Sequence, residues 1–585
     1  MRSLAVFSWL FLIPIYTLFL ISISVFGVSG QCFGNQQSLL LQLKNNLTFD
    51  PDLSIKLVKW NQSVDCCSWE GVTCHEGRVI GLDLSSEFFS GEIDDSSSLF
   101  SLQHLQSLNL AYNYFLASLI PSQFDKLANL RYLNLSNAGF AGQIPIAISR
   151  LTRLVTLDLS CKYYLCAWDS WETPSLTLGN PNLNILLRNL SELMELHLDT
   201  VTISAQGKEW CQVLSSSLPN LRVLSLSYCN LSGPIDSSLR NLKSLSIIRL
   251  NGNDFSSPVP NFFADFKNLT SLEVRFSRLN GTFPKKIFQV PTLQTLDLSA
   301  NDLQGSLPEF PPNGSLQTMV LSDTNFSGTL PNSIGNLKML STINIQNCNF
   351  SGLIPDSMAS LTQLVYLDMS SNLFSGSIPD SLASLTQLVY LDMSSNLFSG
   401  SIPDLLASLT QLVNLYLSWN MFNGSIPVFS MTKNLTHLDL SSNNLTGPIT
   451  STQWEELLDL EYLLLIKNSL NGNIPVSLFS LPSLDLLGLS SNKFSGQLKE
   501  FSNVSSDIGK RIFLDDNQLE GPIPMSIFEL RDLEYLSLGS NKFNSLDLSV
   551  IQPLKNLHYL DLSHINLLTE YNGLTFRYPR FIFIH

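Results

Sequence analysis

Two consecutive segments of the chain have almost the same sequence. Residues 361–384 read LTQLVYLDMSSNLFSGSIPDSLAS, and residues 385–408 read LTQLVYLDMSSNLFSGSIPDLLAS. The copies differ only where Ser381 in the first corresponds to Leu405 in the second. A unit of 24 residues is therefore the element from which the chain is built.

The pattern L-x-x-L-x-L-x-x-N of this unit recurs along the chain, and we call its last residue the register position. In the clearest part, with steps of 23 to 25 residues, the register positions are Asn253, Ser277, Asn301, Thr324, Cys348, Asn372, Asn396, Asn420, Asn443, Asn468, Asn492, Asn517 and Asn541. Upstream they continue less regularly through Glu87, Asn113, Ala138, Lys162, Val201 and Cys229, and the last is Ile565. This period with these leucines is the signature of leucine-rich repeats.

The unit predicts an α/β-type solenoid of about 20 such repeats, with a parallel β-sheet on its concave face. In L-x-L the two leucines point into the core and the residue between them points out, as in a short strand. The amide of the register Asn can satisfy backbone groups where the chain turns inward. The following S-G-x-I-P supplies a Gly for a turn and a Pro that fixes an extended path.

The segment before the repeats contains Cys32, Trp60 and the run Cys66-Cys67-Ser68-Trp69-Glu70-Gly71-Val72-Thr73-Cys74. Four cysteines in a short secreted segment predict two disulfides, for which three pairings are open. A metal site with His75 is the weaker alternative, because the compartment is oxidising and no second histidine has ligand spacing. The first turn of a solenoid needs such a cap over its leucines.

The motif C-C-x-W-x-G-V-x-C at 66–74, with Cys32, Trp60 and the repeated L-S-x-N-x-x-x-G-x-I-P, resembles the ectodomains of plant extracellular leucine-rich-repeat receptors. The adjacent Cys66 and Cys67 are similar to those of receptor-like proteins, including the tomato Verticillium-resistance group. The resemblance covers residues 1 to about 570 and implies pairing of Cys32 with Cys66 and of Cys67 with Cys74.

The resulting domain prediction has six segments. Arg2 and the apolar run that ends at Gly30 predict a cleaved secretory signal, with an uncleaved anchor as the alternative. The register step from Lys162 to Val201 is 15 residues longer than one period and predicts a loop-out. The segments are a signal peptide at 1–30, a cap at 31–78, repeats at 79–160, the insert at 161–190, repeats at 191–570 and an irregular, uncapped tail at 571–585.

Three cysteines outside the cap could form further disulfides. Cys161 and Cys166 are spaced for a small local disulfide, whereas Cys211 has no evident partner. The pairing of these three residues stays open.

Fourteen N-x-[ST] sequons in a chain with a secretory signal predict a glycoprotein. Those at Asn230, Asn325, Asn349 and Asn444 directly follow a register position, so we expect them to share one edge. The remaining sequons are at Asn46, Asn61, Asn134, Asn189, Asn268, Asn280, Asn313, Asn423, Asn434 and Asn503.

The composition and motifs argue against catalysis and nucleic-acid binding. The formal net charge is −15, and the sequence shows no Lys/Arg cluster. No nucleophile, phosphate-binding or H-E-x-x-H motif is present, so no catalytic residue, cofactor or metal ligand is assigned. The recurring aspartates of L-D-[LM]-S are interpreted as exposed structural residues.

Large or charged residues that replace the usual Ser, Asn and Asp near the strands are the candidate ligand surface. They are Arg249, Glu273, Arg275, Phe276, Tyr416, Trp419 and Lys467, with Tyr112 and Tyr228 as further departures.

Two classes of function fit the sequence. The resemblance implies a recognition receptor of plant immunity or development at the plasma membrane, which binds a peptide or protein and signals through partner receptor kinases in trans. The alternative is a secreted inhibitor of a foreign cell-wall enzyme, similar to polygalacturonase-inhibiting proteins, or a truncated decoy. The receptor family normally continues into a cap and a membrane helix, so we expect this sequence to be the first part of a longer product.

Overall fold

The computed structural model describes residues 31–91, 93–161, 175–180, 182–205, 207–450, 454–501, 510–568 and 581–583. The predicted signal, Cys166 and Asn503 lie outside these residues. The chain divides into two compact units. Unit 1 comprises Met1–Ala205 and Val213–Leu221, and unit 2 comprises Gln206–Gln212 and Arg222–His585. The helix Glu209–Ser217 contains residues of both.

Unit 1 begins with the predicted cap. The α-helix Gly34–Asn46 and the 3-10 helices Leu57–Lys59 and Cys66–Ser68 precede a hairpin of Val72–His75 and Arg78–Asp83. Disulfides join Cys32 to Cys66 and Cys67 to Cys74, which is the pairing that the resemblance implies. The indoles of Trp60 and Trp69 stack with their ring centroids 5.0 Å apart.

Carboxylates hold the segments of the cap together. Asp65 accepts hydrogen bonds from the backbone N–H groups of Cys32 and Cys67. The buried Glu87, at a register position, accepts from the hydroxyl of Ser54 and the N–H of Leu57. The sulfur atoms beside Asp65 belong to disulfides, so this group has a structural explanation and needs no metal ion.

The rest of unit 1 repeats one arrangement of strand and return segment. Its first parallel sheet runs through Arg78–Asp83, Ser107–Asn109, Tyr132–Asn134, Thr156–Asp158 and Glu195–His197. A second sheet pairs Gly142–Gln143, Leu176–Leu178 and Thr202–Ile203. The return segments are the 3-10 helices Ser98–Ser101, Ser122–Lys126 and Ile146–Arg150 and the α-helix Leu183–Leu187.

Unit 2 continues the same arrangement over more turns. Its first-sheet strands are Val223–Ser225, Ile247–Arg249, Ser271–Glu273, Thr295–Asp297, Thr318–Val320, Thr342–Asn344, Tyr366–Asp368, Tyr390–Asp392, Asn414–Tyr416, His437–Asp439, Tyr462–Leu464, Leu486–Gly488, Arg511–Phe513, Tyr535–Ser537, Tyr559–Asp561 and Phe581–Phe583. Each strand pairs in parallel with the next in the chain.

A second parallel sheet of unit 2 follows the register positions. Its strands are Asn280–Thr282, Asp302–Gly305, Asn325–Gly328, Asn349–Gly352, Leu373–Gly376, Leu397–Ser401, Met421–Gly424, Asn444–Pro448, Ser469–Gly472, Lys493–Gln497, Gln518–Gly521 and Lys542–Phe543. The 3-10 return segments are Ser237–Asn241, Asn261–Asp265, Lys285–Gln289, Asn332–Asn336, Asp356–Ser360, Asp380–Ser384, Asp404–Ser408, Val476–Ser480 and Leu548–Ile551, and Met525–Phe528 is α-helical.

The duplicated repeat shows why the sequence folds in this way. Leu367 is the apolar core residue of the strand Tyr366–Asp368, and Phe374 and Ile378 supply further core contacts from the same repeat. Pro379 has φ −72° and ψ 138° and directly precedes the 3-10 helix Asp380–Ser384. The extended Pro therefore leads directly into the return segment.

The register asparagines form a buried ladder between turns, as the sequence predicts. The side-chain N–H₂ of Asn396 donates to the carbonyls of Met369, Met393 and Ser394 at 3.0 to 3.3 Å. Its Oδ1 accepts from the backbone N–H of Phe374 at 3.0 Å. Buried backbone groups need partners, so this amide stabilises the turn and its contact with the neighbouring turn.

Two predicted boundaries require correction. The insert was predicted to extend over 161–190, yet Leu176–Leu178 pairs in the second sheet and Leu183–Leu187 is a helical return segment. Alternating leucines already mark these residues as part of a repeat. The tail was predicted to be irregular over 571–585, yet Phe581–Phe583 pairs in parallel with Tyr559–Asp561. Among the described residues, no helix is long and apolar enough to cross a membrane.

Candidate functional site

The outward side chains of the first sheet lie at fixed distances from the register position. The strand is the triplet x-L-x, so residues six and four before the register both face outward while the leucine between them is buried. We call the residues six before the register the ring row and those four before it the carboxylate row. The residue directly before the register is the turn position.

Three of the predicted ligand-surface residues occupy the turn position instead of a strand. Phe276, Trp419 and Lys467 have φ of 51°, 54° and 55°, a left-handed conformation that is uncommon for large side chains. Phe276 and Trp419 are each 61% exposed. The ammonium of Lys467 lies 5.7 Å from the Trp419 ring centroid, within cation–π range.

The other predicted residues divide into two groups. Arg249 and Glu273, neighbours in the carboxylate row, form an ion pair with 2.9 Å between Nε and Oε1, so each is already engaged by the other. Arg275 is exposed beside them. Tyr416 lies six strands further along, about 29 Å away at about 4.8 Å per strand. The predicted residues are therefore not one patch.

A row of stacked aromatic rings is the most distinctive feature of this face, and the sequence analysis missed it. Tyr366 and Tyr390 stack with centroids 4.5 Å apart and an interplanar angle of 11°. His437 and Tyr462 stack at 4.3 Å and 16°. All four are half-buried members of the ring row. The residue before the first Leu of L-x-L was the signal that could have identified them.

Tyr416 bridges the two stacks. Its ring centroid lies 5.6 Å from that of Tyr390 and 6.4 Å from that of His437. The ring-row residue of this strand is Asn414, whose amide donates to the Tyr416 hydroxyl at 3.1 Å. Aromatic contacts therefore run over five consecutive strands, from Tyr366 to Tyr462.

Carboxylates lie beside these rings. Asp368 is only 3% exposed, and its Oδ1 accepts from the N–H and the hydroxyl of Ser370. Burial, and secondly the neighbouring Asp392, raise the pKa of Asp368 to about 6. Burial also raises the pKa of Asp392.

Burial affects the rings of the face as well. It raises the pKa of the Tyr416 phenol and lowers the pKa of His437, which keeps the imidazole neutral near pH 7. No positive charge from His437 therefore opposes a cation at this surface near neutral pH.

A guanidinium group ends the aromatic row. The Arg511 guanidinium carbon lies 5.3 Å from the Tyr462 ring centroid, and the group donates to the Tyr462 hydroxyl at 3.3 Å and to the carboxylate of Asp485. Burial acts to lower the pKa of Arg511, but the bonds to Asp485 and Tyr462 outweigh it and raise that pKa.

A polar depression of about 260 Å³ lies elsewhere, where Thr324 and Cys348 replace the register Asn. The sequon residues Asn325 and Asn349 line it. All four register-adjacent sequon residues, Asn230, Asn325, Asn349 and Asn444, are exposed. This depression belongs to the edge next to the second sheet and carries no aromatic or charged pair comparable to the strand face.

Two further sequence expectations concern single residues. Asn134 is only 8% exposed and donates to the Tyr132 hydroxyl at 3.2 Å, so the folded chain offers little room for a sugar there.

Cys211 is a buried thiol that accepts from the N–H of Asp236, and burial raises its pKa to about 12. Cys161 is disulfide-bonded.

Three family models match parts of the chain. The leucine rich repeat N-terminal domain matches residues 34–75, and the leucine-rich repeat region matches residues 314–426. The leucine-rich repeat model matches residues 129–151, 220–242, 292–313 and 434–452.

Curated relatives and solved structures are similar to the chain. Receptor-like protein 6 of Arabidopsis thaliana is 32% identical over 332 residues, which cover 54% of this chain and 28% of that protein. Receptor-like protein Cf-9 of Solanum pimpinellifolium is 32% identical over 239 residues, or 38% of this chain and 26% of that protein. Each match spans less than a third of the relative.

The crystal structure of the Arabidopsis receptor kinase HAESA, in complex with the peptide hormone IDA and the co-receptor SERK1, has a TM-score of 0.74 and 28% identity. The alignment covers 92% of this chain and 94% of that chain.

Proposed function

We propose, from the premise that this chain is a leucine-rich-repeat protein whose homologues are plant receptor-like proteins, that it recognises a peptide or protein ligand outside the cell. The ligand lies on the strand face of unit 2 that carries the ring row. Binding then recruits receptor kinases in trans. We place the chain at the extracellular face of the plasma membrane, with sugars on the register-adjacent sequons.

The aromatic row is the observation that carries this proposal. Tyr366, Tyr390, His437 and Tyr462 are half-buried, so part of each side chain remains accessible. Tyrosine side chains supply large contact areas with few rotatable bonds and are enriched at binding hot spots. The six ring-row positions of unit 2 that precede Tyr366 carry Val, Ile, Ser or Thr and no aromatic residue, so the aromatic character is confined to part of the face.

The partner part of the proposal is supported by similarity. HAESA was crystallised with both a peptide hormone and a co-receptor, and its ectodomain aligns over most of this chain. Ligand binding that completes a surface for a second receptor is a general route from recognition to signalling.

To test the proposal, a synthetic library of random peptides is passed over the immobilised full chain. Peptides of about 12 residues suit this purpose, because an extended chain of that length at about 3.3 Å per residue spans about eight strands. Mass spectrometry of the retained fraction identifies what binds.

The strand-face variant replaces Tyr366 and Tyr390 with asparagine and Tyr416 with valine. Asparagine already occupies the ring row at Asn414 and valine the carboxylate row at Val320, so the fold accommodates these side chains, and no new N-x-[ST] sequon arises. We expect retention to fall at least about tenfold, since truncation of several hot-spot rings typically costs more than about 1 kcal/mol each.

The matched control replaces Leu373 and Leu397 with serine. Both are exposed on the second sheet, where Ser469 holds the equivalent position. We expect this control to retain the same peptides as the wild type. The proposed function is contradicted if the wild type retains no peptide. It is also contradicted if the strand-face variant retains the same peptides as well as the wild type does.

A further inference from the structure

The third copy of the duplicated repeat exchanges an aromatic and a polar position. Residues 361–369 and 385–393 read LTQLVYLDM, whereas residues 409–417 read LTQLVNLYL. Asparagine therefore enters the ring row at Asn414, and the aromatic ring moves to the carboxylate row at Tyr416. This change places one tyrosine between aspartates of the neighbouring strands.

The ring of Tyr416 differs in orientation from the rest of the row. Its plane is tilted by 52° from that of Tyr390 and by 58° from that of His437. The rings of Tyr366 and Tyr390 instead lie nearly parallel and cover one another. Tyr416 thus has a ring face that no parallel neighbour covers.

Two carboxylates flank this ring. The strand register aligns Asp392, Tyr416 and Asp439 across three consecutive strands. Asp392 accepts from the N–H and hydroxyl of Ser394 through Oδ1 and from the Tyr390 hydroxyl through Oδ2. Asp439 accepts from the N–H of Ser441 through Oδ1, and within the described residues its Oδ2 receives no hydrogen bond.

The surroundings are negative. We consider the ring row, the carboxylate row and the positions two before the register, from Thr295 to Ile466. The residues at these positions are all described by the structure. They include four aspartates and no Lys or Arg. The nearby cations are already engaged, Lys467 with the Trp419 ring and Arg511 with Tyr462 and Asp485. A ligand cation therefore meets no competing positive charge in these rows.

We propose that Tyr416, Asp392 and Asp439 form a binding site for an arginine or lysine side chain of the polypeptide ligand. The cation lies over the ring of Tyr416 and pairs with the two carboxylates. This inference rests on the proposed function and adds the class of ligand, a segment with a basic residue.

Distances on the sheet fit one cation. Asp392 and Asp439 are two strands apart, about 9.6 Å, so they flank the strand that carries Tyr416, each about one strand spacing of 4.8 Å to its side. Cation–π attraction acts within about 6 Å of the ring centroid and strengthens where water is excluded. The chain contains the same combination itself, because the Arg511 guanidinium contacts both the Tyr462 ring and the Asp485 carboxylate.

The peptide library described above tests this inference through the sequences retained by the full chain. We expect Arg or Lys to be enriched at one position. The best-retained peptide is then compared with the same peptide in which citrulline, a neutral analogue of similar shape, replaces that arginine. We expect the citrulline peptide to bind about 10- to 100-fold more weakly, as for loss of a charged hydrogen-bonded partner.

Two variants locate the effect. In Asp392→Gln with Asp439→Gln, the preference for the arginine peptide should fall to the few-fold that cation–π attraction by Tyr416 alone supplies, whereas Asp297→Gln should leave the preference intact. Asp297 is in the same row and accepts from the N–H and hydroxyl of Ser299, as Asp392 does from Ser394, but lies four strands away from Asp392. Glutamine keeps an acceptor oxygen and, unlike asparagine, completes no N-x-S sequon with the serine two residues on. Secretion and thermal unfolding of each variant verify its fold.

The outcomes separate the two proposals. Retained peptides without a basic preference, or a preference of undiminished size in the double variant, overturn the inference while the proposed function stands. Retention of no peptide overturns both. A preference that falls in the double variant and not in the Asp297 variant supports the inference.

Discussion

Replacement of Asp368 by asparagine should make the chain more stable at neutral pH. Asp368 is buried and faces Asp392 on the next strand and Asn344 on the preceding one, with the phenols of Tyr366 and Tyr390 beside it. Burial and Asp392 raise its pKa from 3.8 to about 6. The folded chain therefore holds this proton more tightly than the unfolded chain does.

The direction of the pH dependence follows from this difference. Below about pH 4 the carboxyl is protonated in both states and costs nothing. As the pH rises from about 4 to about 6, only the unfolded state ionises freely, so stability falls, and above about pH 6 the loss is complete. A pKa raised from 3.8 to about 6 corresponds to at most about 3 kcal/mol.

Asp368→Asn removes this loss and keeps the oxygen that accepts from Ser370. The change completes an Asn-Met-Ser sequon at 368–370, so the comparison uses protein in which glycopeptide mapping finds residue 368 bare. We expect the variant to exceed the wild type by about 1–3 kcal/mol near pH 7.5 and to gain nothing near pH 4. Hydrogen exchange of peptides from 361–376, corrected for intrinsic rates, measures the local opening free energy, which suits a repeat protein better than one global midpoint. Asp380→Asn, an exposed carboxyl in the following return segment, is the control.

The neighbouring Asp392 offers a second check on the same reasoning. It is the smaller of the two causes that raise the pKa of Asp368, after burial. Asp392→Gln should therefore lower that pKa. An equal gain for Asp368→Asn at pH 4 and pH 7.5, or a loss at both, would refute this account of the buried carboxyl.

Three other predictions concern the repeats and their sugars. Asn396→Ala removes the acceptor for the Phe374 N–H and three donor contacts, so we expect about 2–4 kcal/mol of local destabilisation, measured by hydrogen exchange. Deletion of 385–408 should preserve folding and secretion, because it removes one whole repeat. It should alter the binding of any ligand that contacts both sides of the deletion, which titration of retained peptides would measure. Failure of secretion would contradict this prediction. Glycopeptide mapping should find Asn349 modified and Asn134 bare, and a sugar on Asn134 would contradict its burial.

The repeat architecture could be derived from the sequence because one period governs it. The register Asn, the inward leucines and the Pro before most return segments recur at fixed offsets, and the structure uses each as its chemistry suggests. The cap pairing came from the family resemblance, since four cysteines alone leave three pairings open.

The functional face was less predictable. Taking L-x-L as the strand directed attention to the residue after the first leucine, whereas the actual triplet x-L-x also exposes the residue before it, as for Tyr366 and Tyr390. The left-handed turn position holds Ser, Trp and Lys instead of Gly, so its backbone could not be recognised from residue type. The Arg249–Glu273 pair spans one period of 24 residues and could have been inferred from that spacing.

Hydrogen exchange of the full chain with and without its best-retained peptide tests the central claim most directly. The proposed strand face predicts protection in the strands Tyr390–Asp392, Asn414–Tyr416 and His437–Asp439. The second-sheet strands Leu397–Ser401 and Met421–Gly424, in the same turns, should exchange as in the free chain. Protection confined to the second sheet would contradict recognition by the aromatic row.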